Sequence, residues 1–321
     1  MLKTACHVLQ GITIMALVCA AVIRARTRMP AFTGSGVGSA APAVLRSIDW
    51  IDGGWGWNGG MPIQKEESLH QTFRLAAVAG SRAIQVHNIL GSIEVTGGDG
   101  DGVQMDVDET FYAESNEALE RARKDVTLDF DQDPGLLKME VKYRSRCPLP
   151  DCRGFEGPRY AVEMNFRLRV PRDSDLTLRT VGGRGVHVRG VSGTFSISNV
   201  NGGVTMEEIA GSGTARTVNG PIKVTFHENP RNDSEFASLN GGVDLYFAKN
   251  LSADFRFKTF SGSVDSDFPI LARPMGPIEE RRGAALYFRT NSVAGGQVGA
   301  GGPLIRVESL NGDVRILEKH E

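Results

Sequence analysis

A chain of 321 residues with 40% hydrophobic content has enough material for one large or two ordinary domains. Its formal net charge is −2, with both signs spread along the chain, which argues against a nucleic-acid binder. Glycine is abundant at 39 residues and helix-forming runs are scarce, the composition of an all-β chain.

Residues 1–26 stand apart. Lys3 precedes an apolar stretch from Val8 to Ile23, the length of a signal-peptide core or a short membrane anchor. Ala16-Leu17-Val18-Cys19 carries a trace of a lipoprotein box, and no small-x-small cleavage site follows the apolar run. Arg24, Arg26 and Arg28 lie beyond it, which is awkward for an anchor that exports its C-terminus. Export through this segment is expected, to the periplasm or the cell surface. Membrane contact is then confined to residues 8–23, where the segment stays uncleaved. Residues 27–68 read as a Gly- and Trp-rich linker. Trp50, Trp55 and Trp57 sit there, placed to stack on sugars, to rest at a membrane interface, or to pin the loop to the domain.

A β domain is expected over residues 69–318, with strands beginning near Phe73. Gly91-Ser92-Ile93-Glu94-Val95 is an early echo of a phrase that returns later, and Val103–Val107 alternates like a half-buried strand. Ser115–Asp125 predicts one short helix, with Ser115 as N-cap and Glu117 in the first turn. Strands resume at Val126–Phe130, Leu136–Val141 and Ala161–Val170, and Pro171 leads into the repeats.

The repeats occupy residues 176–318. Six corners recur: Gly182-Gly183, Asn201-Gly202, Asn219-Gly220, Asn240-Gly241, Ser261-Gly262 and Asn311-Gly312. An apolar residue stands one place before each corner and a small polar one two places before, as Leu239 and Ser238 do. A short alternating strand follows, as in Val243-Asp244-Leu245-Tyr246-Phe247. Glycine supplies the positive φ that a sharp corner needs, and asparagine tolerates it better than most residues. Column-by-column repetition near 20 residues predicts a β-solenoid-like stack, with the corner asparagines forming a ladder and the last repeat closing the domain. The alternative is an antiparallel β-sandwich or meander with Asn-Gly hairpins. Within a coil, Val243, Leu245 and Phe247 are expected inside. Asp244 and Tyr246 should face outward, Tyr246 being the better candidate contact.

The order of these features resembles the bacterial family of proposed adhesins, uncharacterised envelope proteins related to auto-transporter adhesin head domains. Gly91–Val95, the turn Gly98-Asp99-Gly100-Asp101, the single helix, Leu168-Arg169-Val170-Pro171, the serial Asn-Gly phrases and the final Ile305–Ile316 carry the likeness, over roughly residues 70–318. The resemblance implies a β-solenoid-like fold outside the cytoplasm and supplies no catalytic residues. The Cys147–Cys152 stretch and residues 268–302 have no counterpart in the family pattern.

Chemistry-bearing motifs are few. Cys147 and Cys152 close a small loop and form a disulfide candidate in an exported chain; zinc would need two further ligands, and no histidine is near. Asp129, Asp131, Asp133 and Glu140 follow calcium-loop spacing superficially, but Pro134 occupies the place that wants glycine, and a hairpin at Asp133-Pro134-Gly135 is simpler. The expected role is non-catalytic binding or surface scaffolding, with a glycan or an envelope protein as ligand and with no cofactor and no metal. Two other classes compete. One is a carbohydrate-active enzyme with a carboxylate pair on a β-solenoid, and the other a membrane-anchored envelope sensor. A cleft with converging carboxylates would favour the enzyme, a smooth repeat face the binding protein.

Overall fold

The period-two phrases form strands, and the strands collect into two sheets that share one apolar core. The computed structural model describes residues 61–77, 82–144, 159–272 and 295–319, and the backbone of 278–282, 285–289 and 293–294. All lie in one of the chain's two units, Ile51–Glu321.

The first part of the chain gives β1 (Ile63–Arg74), β2 (Arg82–His87), β3 (Ile93–Gly98), β4 (Gly102–Ala113), helix α1 (Asn116–Asp125), β5 (Val126–Asp133), β6 (Leu136–Tyr143) and β7 (Tyr160–Pro171). The repeats give pairs of strands: β8 (Ser174–Thr180) and β9 (Val186–Arg189), β10 (Phe195–Asn201) and β11 (Val204–Ile209), β12 (Gly213–Asn219) and β13 (Ile222–Phe226). Next come β14 (Ser234–Asn240) and β15 (Val243–Phe247), then β16 (Ala253–Ser261) and β17 (Val264–Ser266). After β18 (Leu271–Ala272), the hairpin β19 (Ile278–Arg282) with β20 (Ala285–Arg289), and β21 (Val293–Val298), the last pair is β22 (Leu304–Asn311) and β23 (Val314–Glu318).

Each pair bends at its corner, leaving one strand in an eleven-stranded sheet and the next in a ten-stranded sheet. Successive coils pair in parallel and in register, Ile197 beside Ala215 beside Phe236 and Val204 beside Ile222 beside Val243. The strand pairs therefore stack in parallel, and the two mixed sheets enclose the core as a sandwich does. Within the two large sheets, antiparallel pairing is confined to the margins: β1 with β4 and β4 with β7, β5 with β6, and β21 with β16 and β18. Rings from both sheets interlock between them; Phe226 stacks on Phe247 at 4.9 Å and meets Phe236 edge-on at 6.2 Å.

Three details differ from the sequence expectation. The last repeat does not close the stack: β22 lies between β14 and β16, and β23 between β15 and β17, so the coil of β16 and β17 is outermost. The echo Ile93–Val95 is itself a coil, stacked in register on Val186–Val188. Finally, β1 begins at Ile63, within the stretch expected to be linker. It is an edge strand exposed on both faces for most of its length, so its sequence has no alternation to show, and pairing with β4 makes it a strand.

The helix forms as expected. Ser115 Oγ accepts from the Ala118 N–H at 3.2 Å, and Ala118, Leu119 and Ala122 are buried in the core. Among the described residues no helix is long and apolar enough to cross a membrane; residues 1–26, including the expected export segment, lie outside them.

Candidate binding face

The corners place every side chain that follows them, and three sets of bonds hold them. Asn219 Nδ2 donates to Asn201 Oδ1 at 2.9 Å, Asn240 to Asn219 at 2.8 Å, and Asn311 to Asn240 at 2.8 Å. The ladder thus runs through the inserted coil, and Ser261 and Gly182 are the corners beyond its two ends. Beneath it, Thr217, Ser238 and Ser309 hydroxyls donate to the carbonyls of Gly202, Gly220 and Gly241 in the preceding coil, at 2.8, 2.9 and 3.1 Å. This explains the hydroxyl two places before those corners: it satisfies a carbonyl of the neighbouring turn, as Thr180 does for Gly91, whereas Asn199 donates to Gly203 of its own coil. Main-chain bonds such as Gly241 N–H to Asn311 O at 2.9 Å complete the set.

The corner glycines Gly183, Gly202, Gly220, Gly241, Gly262 and Gly312 all have positive φ. Contact is the harder constraint. A Cβ on Gly241 would stand 2.2 Å from the Gly220 carbonyl oxygen, so no side chain fits between stacked corners.

With the corners in register, residues four places beyond Asn201, Asn219 and Asn240 fall into one row on the outer face of the ten-stranded sheet. At the repeat end that row reads Thr205, Lys223, Asp244, Arg315, Asp265. Continuing the other way from Thr205 it reads His187, Glu94, Arg167, Asp106, His70. One position spans all ten strands. Asp106, Arg167 and Glu94 alternate in sign on one side of His187 and Thr205, Lys223, Asp244, Arg315 and Asp265 alternate on the other, and His70 stands at the β1 edge. Several members are locked by neighbours. Arg315 Nε donates to Asp244 Oδ1 at 2.6 Å with a second bond from Nη2, and Asp244 holds the guanidinium above its usual pKa. His70 Nδ1 lies 2.6 Å from Asp106, and Arg167 pairs with Asp108 at 2.7 Å, its hydrogen bond drawing that carboxyl below the usual range.

A second row, two residues further along the strands, carries Arg169, Thr96, Arg189 and Glu207. A bulge at Glu207 and Glu208, where Glu208 takes φ 54°, sets two residues against one on the next strand; beyond it come Thr225 and Tyr246. Arg189 donates to Glu208 at 3.0 Å, and Lys223 Nζ lies 5.3 Å above the Tyr246 ring. As expected from alternation, Val243, Leu245 and Phe247 are fully buried and Asp244 and Tyr246 face outward.

Where the first row breaks there is a shallow groove of about 290 Å³, lined among others by Glu94, Thr96, His187, Arg189, Thr205 and Glu207. Glu94 and Glu207 lie two strands and two positions apart, a backbone separation of about 12 Å from standard sheet spacings. His187 and Arg189 occupy the strand between them.

The remaining candidates resolve simply. Asp133 and Leu136 pair across the two-residue turn Pro134-Gly135, so the calcium-like spacing is a hairpin. Asp129 is bound by Lys142 at 2.8 Å and Glu140 by Lys138 at 2.7 Å. Among the described residues no group of three or more His, Cys, Asp or Glu is placed to hold a metal ion. Cys147, Cys152 and the three tryptophans fall outside the described residues.

No family model and no curated protein matches this chain. Solved structures similar to it include a proposed cell adhesion protein from Clostridium sporogenes, 12% identical with a TM-score of 0.37, covering 79% of this chain and 100% of that one. A proposed adhesin from Bacteroides fragilis is 11% identical with a TM-score of 0.32, over 79% of this chain and 97% of that one. A proposed lipid-binding protein from Parabacteroides distasonis is 9% identical with a TM-score of 0.23, over 81% and 98%.

Proposed function

We propose that this chain is an exported cell-envelope protein whose solenoid-like domain serves as a non-catalytic binding and scaffold element. Its contact surface is the outer face of the ten-stranded sheet. The observation that carries this reading is a row, in register over ten strands, in which seven strands carry charges of alternating sign, a broad polar surface rather than a reaction site. Glycoside hydrolysis asks for two carboxyl groups about 5–9.5 Å apart with different environments. Glu94 and Glu207, the carboxylates of the groove, have a strand of cationic and imidazole side chains between them. Export rests on the apolar segment Val8–Ile23.

Two measurements test the proposal. Fractionation of the native cells with mass spectrometry of the mature N-terminus should find the protein in the envelope; recovery from the cytosol would overturn export. Purified protein should co-sediment with isolated envelopes, and Glu94→Lys or Arg169→Glu should reduce the bound fraction severalfold. Retention unaffected by either charge reversal would remove the sheet face from the binding role.

A further inference from the structure

We infer that the same sheet face docks a second copy of this chain, face to face, about a two-fold axis parallel to the strands and midway between β9 and β11. The inference rests on the reading of that face as the contact surface and names its partner. Turning the first row about this axis sets Glu94 opposite Lys223 of the second copy, Arg167 opposite Asp244, Asp106 opposite Arg315, and His70 opposite Asp265. The uncharged break, His187 against Thr205, falls on the axis itself.

An alternating row of even length always complements its own reversal, so this row alone is weak support. The second row does not alternate, yet the same axis sets Arg189 opposite Glu207, Thr96 opposite Thr225, and Arg169 against the Tyr246 ring, a cation over an aromatic face. Charge commitment points the same way. Among the described residues Glu94, Lys223, Arg169 and Glu207 belong to no salt bridge of their own chain, whereas Asp244, Arg315, Arg189, Arg167, Asp106 and His70 do. The axis gives Glu94, Lys223 and Glu207 a partner of opposite charge, and sets Arg169 beside the Tyr246 ring, which Lys223 of its own chain already covers on one side.

Spacing selects a sheet as the occupant. Charges on this face recur at the strand separation of about 4.8 Å, whereas an extended peptide advances about 3.3 Å per residue and drifts out of step within a few strands. A second copy of the sheet keeps step throughout, and an isologous contact is the usual geometry of a homodimer. Two rows over ten strands present roughly twenty outward side chains, close to the 20–30 per partner of a standard interface.

The test is the mass of the full chain in solution, by light scattering or sedimentation, at low and high salt. The wild-type chain should be dimeric at micromolar concentration in low salt and dissociate as salt rises, because exposed charge pairs are screened. Glu94→Lys and Lys223→Glu should each weaken the dimer by roughly tenfold or more, and the double variant should restore it. Within one copy these residues are three strands apart, roughly 14 Å, so the rescue cannot arise inside a single chain. A chain that is monomeric at every salt concentration, or a double variant that stays monomeric, overturns the inference. If the chain is monomeric but Glu94→Lys still reduces envelope retention, only the second copy falls and the binding face stands. If neither mass nor retention responds, both fall.

Discussion

The coil of β14 and β15 and the coil of β16 and β17 carry the same phrase and have different fates. In the first, Val243, Leu245 and Phe247 are fully buried, and Leu239 beside the corner is half-covered. In the second, Val264 is 36% exposed and Phe260 80% exposed. The difference is one of neighbours. β15 lies between β13 and β23, whereas β17 has β23 on one side and ends the sheet. Alternation therefore decides which way a side chain points, and stacking decides whether that direction is dry.

The largest effect should come from forcing the inner corners apart. Gly241→Val combines a positive-φ backbone, costing about 1–3 kcal/mol, with overpacking against the Gly220 carbonyl, costing about 1–3 kcal/mol more. Gly100 is the control, with φ 110° and nothing within 4 Å of the place a Cβ would take: Gly100→Ala should show the backbone cost alone. Denaturant midpoints of the two variants measure the contrast, and equal losses would remove carbonyl contact as the cause.

Truncation sharpens the comparison next. Leu245→Ala should cost about 2–5 kcal/mol, as for a buried leucine whose site cannot collapse. Val264→Ala on the outermost coil should stay within about 0.5 kcal/mol, as at an ordinary surface position. Similar shifts in thermal midpoint at both positions would mean that the outer coil is covered.

The asparagine ladder offers a smaller lever that works in both directions. Asn219→Ala removes one amide bond to each neighbouring coil and should cost about 1 kcal/mol, as partly exposed hydrogen bonds do. Ser261→Asn places an amide beside Asn311 at the ladder's end and should add about 0.5 kcal/mol. A ladder that merely decorates the corner would leave both urea midpoints unchanged.

Asp244→Ala comes next. Alternation alone predicts an effect below about 0.5 kcal/mol, and the forked pair with Arg315 raises this to about 1 kcal/mol. The difference should fade in high salt.

The smallest effect is a pH slope at the other end of the stack. Burial, and then Arg179, push the His87 pKa below its ordinary value. The folded state therefore favours the neutral ring. That stability is present above the unfolded pKa of about 6.5 and is lost as pH falls through the folded value. His87→Gln should flatten the fall in stability between neutral and mildly acidic pH; an unchanged slope would assign it to the carboxylates.

Much of this architecture follows from local chemistry and was legible residue by residue. Corner Asn-Gly pairs, period-two strands, the Ser115-capped helix and the inward set Val243, Leu245 and Phe247 depend only on backbone preference and on which side of a strand a residue occupies. The proposed contact face was not legible, because its rows are assembled from strands distant in the chain: His70, Glu94, Asp106 and Arg167 all lie before the repeats. β1 was hidden for a related reason, since an edge strand wet on both faces needs no alternation.

Coil order belongs wholly to the tertiary structure. Every coil presents the same register, so each could stack on any other, and the phrase alone cannot choose its neighbours. Charge can. In chain order Asp265 would lie directly on Asp244, two like charges at one strand spacing, which disfavours pairing. Inserting the last coil places Arg315 between them, paired with Asp244 on one side and flanked by Asp265 on the other. Meanwhile β21 covers the far edge of β16 and leaves its near edge free to receive β22. The sequence determined what a coil is and which way its side chains point; the long-range pairing of charges and strand edges decided where each coil sits.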